Sequence, residues 1–197
     1  MSLLITNGRV LLPDGTLQFC DVLLTEGKIS AIGSDLAAES RLDAGGAFVL
    51  PGLIDLHVHG LGLCSTDSGT LAELARLEAA RGCTTFFPTL FAPPAQLVEQ
   101  LKRHRRESDD LKNLPQIGGF RLESPYLAYT GAGLGKDLAP IAPAITNALL
   151  EAGGGHIKIW DISPELPGAP ALISQLAGAG IVCSIAHTRA NIAEARA

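Results

Sequence analysis

From Leu53 onward, short hydrophobic runs alternate with longer amphipathic segments. Five apolar runs predict strands, at 53–59, 84–90, 117–124, 156–163 and 181–187. Apolar residues at helical spacing predict helices between them, at 70–82, 94–107, 144–153 and 170–180. Glycines lie where three of these helices should end, at Gly82, Gly153 and Gly178. This alternation predicts a parallel sheet, which is either doubly wound or closed into a (β/α) barrel.

Residues 1–50 have a different pattern, in which β-prone runs are separated by turn signals and no helical periodicity appears. The turn signals are Asn7-Gly8, Asp14-Gly15 and Glu26-Gly27. Their spacing is typical of a small β-sandwich portion or a meander. We therefore predict two domains, a β-sandwich portion over 1–50 and a (β/α) domain over 51–197.

Polar side chains gather at the C-terminal ends of the predicted strands. They are His57, His59, Thr89, Glu123, Ser163 with Glu165, and His187. Periodicity does not separate the two α/β folds, but a (β/α) barrel builds its active site at this end of its strands. Four possible metal ligands on three strands therefore favour a TIM-type barrel, incomplete here with about five βα units.

Composition and charge exclude several classes of protein. The chain is 47% hydrophobic and 18% charged, with a mean hydropathy of +0.27, as in folded, core-rich proteins. Its net charge of −5 offers no basic surface for nucleic acid. Four cysteines without CxxC spacing predict reduced thiols. Because no signal peptide or membrane-length apolar run is present, we expect a cytoplasmic protein that does not bind membranes.

The two histidines of the segment LHVH carry the strongest chemical signal. His57 and His59 are two residues apart on a strand, so their side chains share one face. Converging imidazoles usually bind a metal ion, and with a carboxylate they suit Zn²⁺ or Fe²⁺, as one or two ions. Simpler interpretations remain: the histidines end a strand, Glu123 pairs with Arg121 on its own strand face, and His187 is a core histidine.

Five segments of the chain resemble the motifs of a known family. They are, in order, PGLIDLHVHG, GCTTFFPTL, GFRLESPYL, DISPEL and SIAHTRA. They resemble motifs of the N-acetylglucosamine-6-phosphate deacetylases, which are enzymes of the amidohydrolase superfamily. The HxH motif is common to amidohydrolases, whereas the Glu-x-Pro of strand three and the Ala-His-Thr motif are more specific.

The resemblance implies roles for four residues and a reaction. Glu123 and His187 match ligands of the catalytic metal, and His57 and His59 match the pair that holds a metal in members with two ions. Such an ion lowers the pKa of water to about 7. That water then attacks the acetamide carbonyl of N-acetylglucosamine 6-phosphate, a small amino-sugar phosphate, and releases acetate. The family also implies a homodimer.

The chain departs from the family in two places. The segment 129–137 lacks the histidine of the family's sugar-binding turn, so Leu134 and Gly135 are the expected substrate-binding positions. The family's general-base aspartate and phosphate-binding residues would lie beyond residue 197. We therefore expect the N-terminal part of a longer enzyme, with no catalytic base and no deacetylase activity in the isolated chain. The alternatives are an amidohydrolase for another N-acyl group or a cyclic amide, and a catalytically inactive truncated product.

Three further residues receive structural interpretations. Lys158 lies early in its strand, so we place it at the strand entrance rather than between two metals as a carboxylated lysine. His156 follows three glycines and is expected to be structural. His104 lies in a basic helix end and is expected to face solvent.

Overall fold

The structure, a computed structural model, describes residues 1–108, 111 and 114–196. These residues form two compact units, which divide after Gly52. Among the described residues, no helix has the length and apolar character needed to cross a membrane.

The first unit is a single five-stranded sheet. Its strands are β1 (Ser2–Leu11), β2 (Leu17–Thr25), β3 (Lys28–Gly33), β4 (Ser40–Asp43) and β5 (Phe48–Val49). The order is β3-β2-β1-β4, with β5 also pairing with β1. The predicted turn at Glu26-Gly27 joins β2 to β3 as a two-residue loop, and both residues have positive φ, at 52° and 74°. Such turns match the twist of antiparallel strands.

The second unit alternates strands and helices, as the periodicity predicts. Its elements are β6 (Leu53–Val58), β7 (Gly60–Leu61), β8 (Cys64–Ser65), α1 (Leu71–Ala79), β9 (Cys83–Leu90), α2 (Pro94–Ser108), β10 (Gln116–Ile117), β11 (Phe120–Leu122), α3 (Pro143–Gly153), β12 (Ile157–Ile162), α4 (Ala169–Gly178), β13 (Val182–Ile185) and α5 (Ile192–Arg196). Local sequence explains two helix ends. The Thr70 side chain accepts a hydrogen bond from the backbone of Glu73 at the start of α1, and Gly154 ends α3 in a left-handed conformation.

The main sheet of this unit is parallel throughout. Strand β9 pairs with β6, β10 and β11, and the sheet continues through β12 to β13. The sheet is a curled half-barrel, consistent with an incomplete TIM-type barrel. The α/β class is therefore confirmed. Because the strands are parallel, their carboxyl ends meet at one edge, where the candidate ligands lie.

The third predicted strand is shorter than its hydrophobic pattern indicates. The pattern predicts one strand over 117–124, whereas the structure has β10 and β11 with Gly118 and Gly119 between them. Gly119 has φ +145°, and its backbone packs against Lys158 and the carbonyl of His156. A side chain does not fit there, so the two glycines interrupt the strand.

The core of the second unit lies between the strands and the helices that follow them. Its fully buried side chains include Phe86, Leu97, Leu101, Phe120, Leu122, Leu149, Trp160 and Leu176. Trp160 stacks on Tyr126, with ring centroids 5.6 Å apart. The Tyr126 hydroxyl forms a 2.8 Å hydrogen bond with Thr146 of α3. These contacts join the loop after β11, β12 and α3.

Candidate metal centre

His57 and His59 lie at the carboxyl end of β6, where two nearby side chains hold the backbone. The amide of His57 donates to Oδ1 of Asp55 at 2.9 Å. The amide of Val58 donates to Oγ1 of the buried Thr89 on β9 at 3.1 Å. Because the backbone is fixed on both sides of His57, the two imidazoles project together, with their Nε2 atoms 3.1 Å apart.

Glu123 follows β11 directly and meets both imidazoles. Its backbone amide donates to the carbonyl of Leu90 at 3.0 Å, which continues the sheet pairing beyond the end of the strand. Its Oε2 lies 3.2 Å from Nε2 of His57 and 2.6 Å from Nε2 of His59. The ligand atoms of the three residues all lie within 4.8 Å of one another. The predicted convergence of histidines and carboxylate is therefore present.

His187 approaches the same carboxylate from the end of β13. Its Nε2 lies 2.7 Å from Oε1 of Glu123, whereas His57 and His59 contact the other carboxylate oxygen, Oε2. The backbone of His187 is left-handed, with φ 46°. This conformation is unfavourable for a residue with a Cβ atom and often occurs at functional sites.

The electrostatics of the cluster centre on Glu123. Burial raises the pKa of this carboxyl, but the hydrogen bonds with His57, His59 and His187 outweigh burial and hold the pKa well below its usual range. The Glu123 side chain is only 10% exposed, whereas the side chains of His57 and His59 are 39% and 48% exposed. A buried carboxylate thus forms the base of the site, and the imidazoles lie toward solvent.

The donor set fits a divalent cation. The Nε2 atoms of His57 and His59 lie 3.1 Å from each other and both point at Oε2 of Glu123. If both nitrogens carried a proton, the two N–H groups would face each other. A cation removes this conflict, because it accepts lone pairs from both imidazoles and from the carboxylate. Neutral imidazole with carboxylate is the ligand chemistry of Zn²⁺ and Fe²⁺.

Arg121 does not pair with Glu123. Its guanidinium instead forms a bidentate pair with Asp161 of β12, from Nε to Oδ2 at 2.9 Å and from Nη2 to Oδ1 at 2.7 Å. Asp161 is fully buried. The pair lies in the layer beneath Glu123 and leaves the Glu123 carboxylate to the histidines. Lys158 is exposed near the start of β12, as expected.

The loop after β11 contacts the centre through residues that the sequence analysis missed. The ring of Tyr129 meets the His187 imidazole edge-on, with centroids 5.5 Å apart. Gly131 packs against the same imidazole, and a Cβ there would lie 2.8 Å from Nδ1. Leu134 and Gly135 lie further along this loop. Leu134 is 59% exposed, and its backbone amide donates a hydrogen bond to the side chain of Asp137. Their role in substrate binding stays a prediction.

His104 is fully buried, so the expectation that it faces solvent is wrong. Its Nε2 donates to the carbonyl of Thr66 at 2.9 Å, and its Nδ1 lies 3.2 Å from Glu107. Burial, with the neighbouring Arg103, lowers the pKa of His104. The physical reason for its burial is the loop at 66–67, which folds back onto α2. Thr66 also donates to the carbonyls of His59 and Thr89, so this loop supports the metal centre.

The cysteines take no part in the cluster. All four are free, as predicted, with Cys64 and Cys83 buried and Cys20 and Cys183 partly buried. Burial raises the pKa of the Cys64, Cys83 and Cys183 thiols. The group of converging possible ligands contains none of them, so the histidines and Glu123 make up the donor set.

Comparisons with known proteins agree with the motif resemblance. No protein-family model matches the chain. The N-acetylglucosamine-6-phosphate deacetylase of Lysinibacillus sphaericus is 26% identical over 199 residues, which are 97% of this chain and 51% of that protein. The crystal structure of the N-acetyl-D-glucosamine-6-phosphate deacetylase of Mycobacterium smegmatis is 30% identical with a TM-score of 0.81, over 100% of this chain and 56% of that chain.

A second class of enzyme is also similar over part of the sequence. The dihydroorotase of Halalkalibacterium halodurans is 34% identical over 150 residues, which are 72% of this chain and 32% of that protein. The deacetylases match essentially the whole chain, which corresponds to their N-terminal portion. The chain spans about half the length of the curated deacetylases it matches.

Proposed function

We propose that this chain is the N-terminal part of a metal-dependent enzyme that deacetylates N-acetylglucosamine 6-phosphate to glucosamine 6-phosphate and acetate, a step of amino-sugar catabolism. The observation that carries the proposal is the convergence of His57, His59 and His187 on the buried carboxylate of Glu123. Similarity to the deacetylases over essentially the whole chain supports the choice of substrate.

In this proposal His57, His59, Glu123 and His187 hold a divalent metal, Zn²⁺ or Fe²⁺, as one or two ions. When bound, such an ion polarises an acyl carbonyl and lowers the pKa of water to about 7. The lowered pKa of Glu123 keeps its carboxylate ionised, so both oxygens can coordinate a cation. Thr89 and Asp55 hold the backbone around His57, which orients the imidazoles before metal binds.

Three wider assignments accompany this proposal. The five-stranded sheet of residues 1–52 is taken as one portion of a small β-sandwich. Its exposed apolar residues, Phe19 at 70% and Ile29 at 64%, are consistent with a surface that a second sheet covers. The homodimer that the resemblance implies and the cytoplasmic location expected from the sequence both stay predictions.

The test is acetate release from N-acetylglucosamine 6-phosphate by the protein expressed from its natural gene. We expect activity that a chelator abolishes and Zn²⁺ or Fe²⁺ restores. Glu123→Gln should lose at least about 100-fold in kcat/KM, because the base of the donor set loses its charge. Glu99→Gln, which removes an exposed carboxylate paired with Lys102 on α2, is the matched control and should keep full activity. Activity that survives both the chelator and Glu123→Gln would contradict the proposal.

A second candidate is an amidohydrolase that acts on a cyclic amide. The similarity to a dihydroorotase over 72% of the chain favours it, and so does the segment 129–137, which offers no histidine. The same preparation should therefore be assayed with dihydroorotate and hydantoin. Turnover of a cyclic amide, without acetate release from the sugar phosphate, would replace the first candidate by the second.

A further inference from the structure

Ser163 connects the two loops that flank the candidate metal centre. It follows β12 directly and is fully buried. Its Oγ accepts a hydrogen bond from the amide of Ala128, at 2.8 Å, in the loop after β11. The same hydroxyl donates toward the carbonyls of Ala186 and His187, at 2.9 and 3.0 Å, in the loop after β13. One hydroxyl therefore fixes the backbone at Ala186 and at His187 itself.

Glu165 holds the other side of the same loop. Its Oε2 accepts from the hydroxyl of Thr188 at 2.6 Å, and its Oε1 accepts from the amide of Arg189 at 2.5 Å. The Thr188 hydroxyl in turn accepts from the amide of Ala190 at 2.9 Å. Hydrogen bonds to an ionised carboxylate are stronger than those between neutral groups. Two residues of the segment Ser163-Pro164-Glu165 thus hold residues 186–190 from both sides of His187.

The backbone of His187 explains why such support is required. Its φ of 46° lies in the left-handed region, which a residue with a Cβ adopts only when its surroundings fix it. In this conformation Nε2 reaches Oε1 of Glu123 at 2.7 Å. Relaxation to a right-handed or extended backbone would turn the imidazole away from the carboxylate. The orientation of His187 therefore depends on contacts outside the donor set.

We propose that Ser163 and Glu165 are positioning residues, which hold His187 in the conformation that makes it a metal ligand. The inference rests on the proposed function, because the metal site belongs to it. Loss of either residue should weaken metal binding through His187, while the rest of the donor set stays in place. Residues that orient a metal ligand typically change metal affinity by about 10–100-fold.

The test is the Zn²⁺ affinity of the protein expressed from its natural gene, measured by titration in competition with a chelator. Glu165→Ala is expected to bind Zn²⁺ about 10–100-fold more weakly than the native chain, and Ser163→Ala to weaken it in the same direction. Glu165→Gln keeps a side-chain oxygen for the Arg189 amide and should stay within about threefold of native. Glu194→Ala is the matched control, because Glu194 accepts a 2.8 Å bond from the exposed amide of Asn191.

A double-mutant cycle with His187→Ala separates positioning from a general structural effect. If Glu165 acts through His187, Glu165→Ala should cause no further loss of affinity in the His187→Ala background. Equal losses in both backgrounds, or native affinity in Glu165→Ala, would overturn the inference alone. A native chain that binds no Zn²⁺ would overturn the proposed metal site, and this inference with it.

Discussion

Breaking the buried pair of Arg121 and Asp161 should strongly destabilise the half-barrel. The guanidinium bonds both carboxylate oxygens of Asp161, at 2.9 and 2.7 Å, and also reaches the carbonyl of Leu56 and the hydroxyl of Ser184, each at 3.3 Å. It therefore joins β6, β12 and β13 beneath the metal centre. Asp161 is fully buried, and the Arg121 side chain is 14% exposed.

The informative perturbation is Arg121→Met, which keeps the length of the side chain and removes its charge. It leaves the Asp161 carboxylate buried without its partner, a change that costs about 3–5 kcal/mol in other proteins. Replacing both partners, as in Arg121→Met with Asp161→Leu, removes the unpaired charge. The double variant should recover most of the lost stability, because an apolar pair has no charge to desolvate.

Urea unfolding, followed by the fluorescence of Trp160, measures both variants. Trp160 is the single tryptophan of the chain, is fully buried and precedes Asp161 directly. With a denaturant slope of about 2 kcal/mol/M, Arg121→Met should lower the midpoint by about 1.5–2.5 M urea. A change below about 1 kcal/mol in the free energy of unfolding would refute the reasoning. A double variant as unstable as the single one would also refute it.

Three further predictions concern the loops, the thiols and acid stability. Gly131→Ala places a Cβ on a left-handed backbone, 2.8 Å from Nδ1 of His187. The Zn²⁺ affinity should therefore fall at least tenfold in the titration described above. Native affinity would contradict the packing of Gly131 against His187. Iodoacetamide at pH 8 should modify Cys20 first. Burial raises the pKa of the Cys64, Cys83 and Cys183 thiols and so keeps them protonated and less reactive. Uniform labelling of the four thiols, measured by mass spectrometry, would contradict this. The pKa of Glu123 in the folded chain lies below its ordinary value of 4.5, so the metal-free chain should lose stability as the pH falls below about 4.5. The Glu123→Gln variant should lose less stability over that range. Equal losses would contradict the lowered pKa of Glu123.

Much of the fold could be predicted because its signals are local. Helical periodicity locates α1 to α4, and apolar runs locate the parallel strands. The four candidate ligands follow from one physical rule, since parallel strands bring their carboxyl ends to one edge. His57 and His59 converge because residues two apart share a strand face.

The parts that could not be predicted depend on contacts between distant segments. His104 lies in a basic helix that looks solvated, and it is buried because the 66–67 loop folds over it. Gly131 has the appearance of any loop glycine until the imidazole of His187 is placed beside it. Ser163 and Glu165 stand out in the sequence as polar residues at a strand end, but their hydrogen-bond partners lie more than twenty residues away along the chain.

The most direct test of the account is X-ray absorption at the zinc edge on the Zn²⁺-loaded chain. The account predicts nitrogen and oxygen ligands at about 2.0–2.1 Å with the outer-shell scattering of imidazole, and loss of that signal in the variant with His57→Ala and His59→Ala. Sulfur ligands at about 2.3 Å would instead place the metal on the cysteines. That result, or a chain that takes up no Zn²⁺, would contradict the central claim that these histidines and Glu123 form a metal centre.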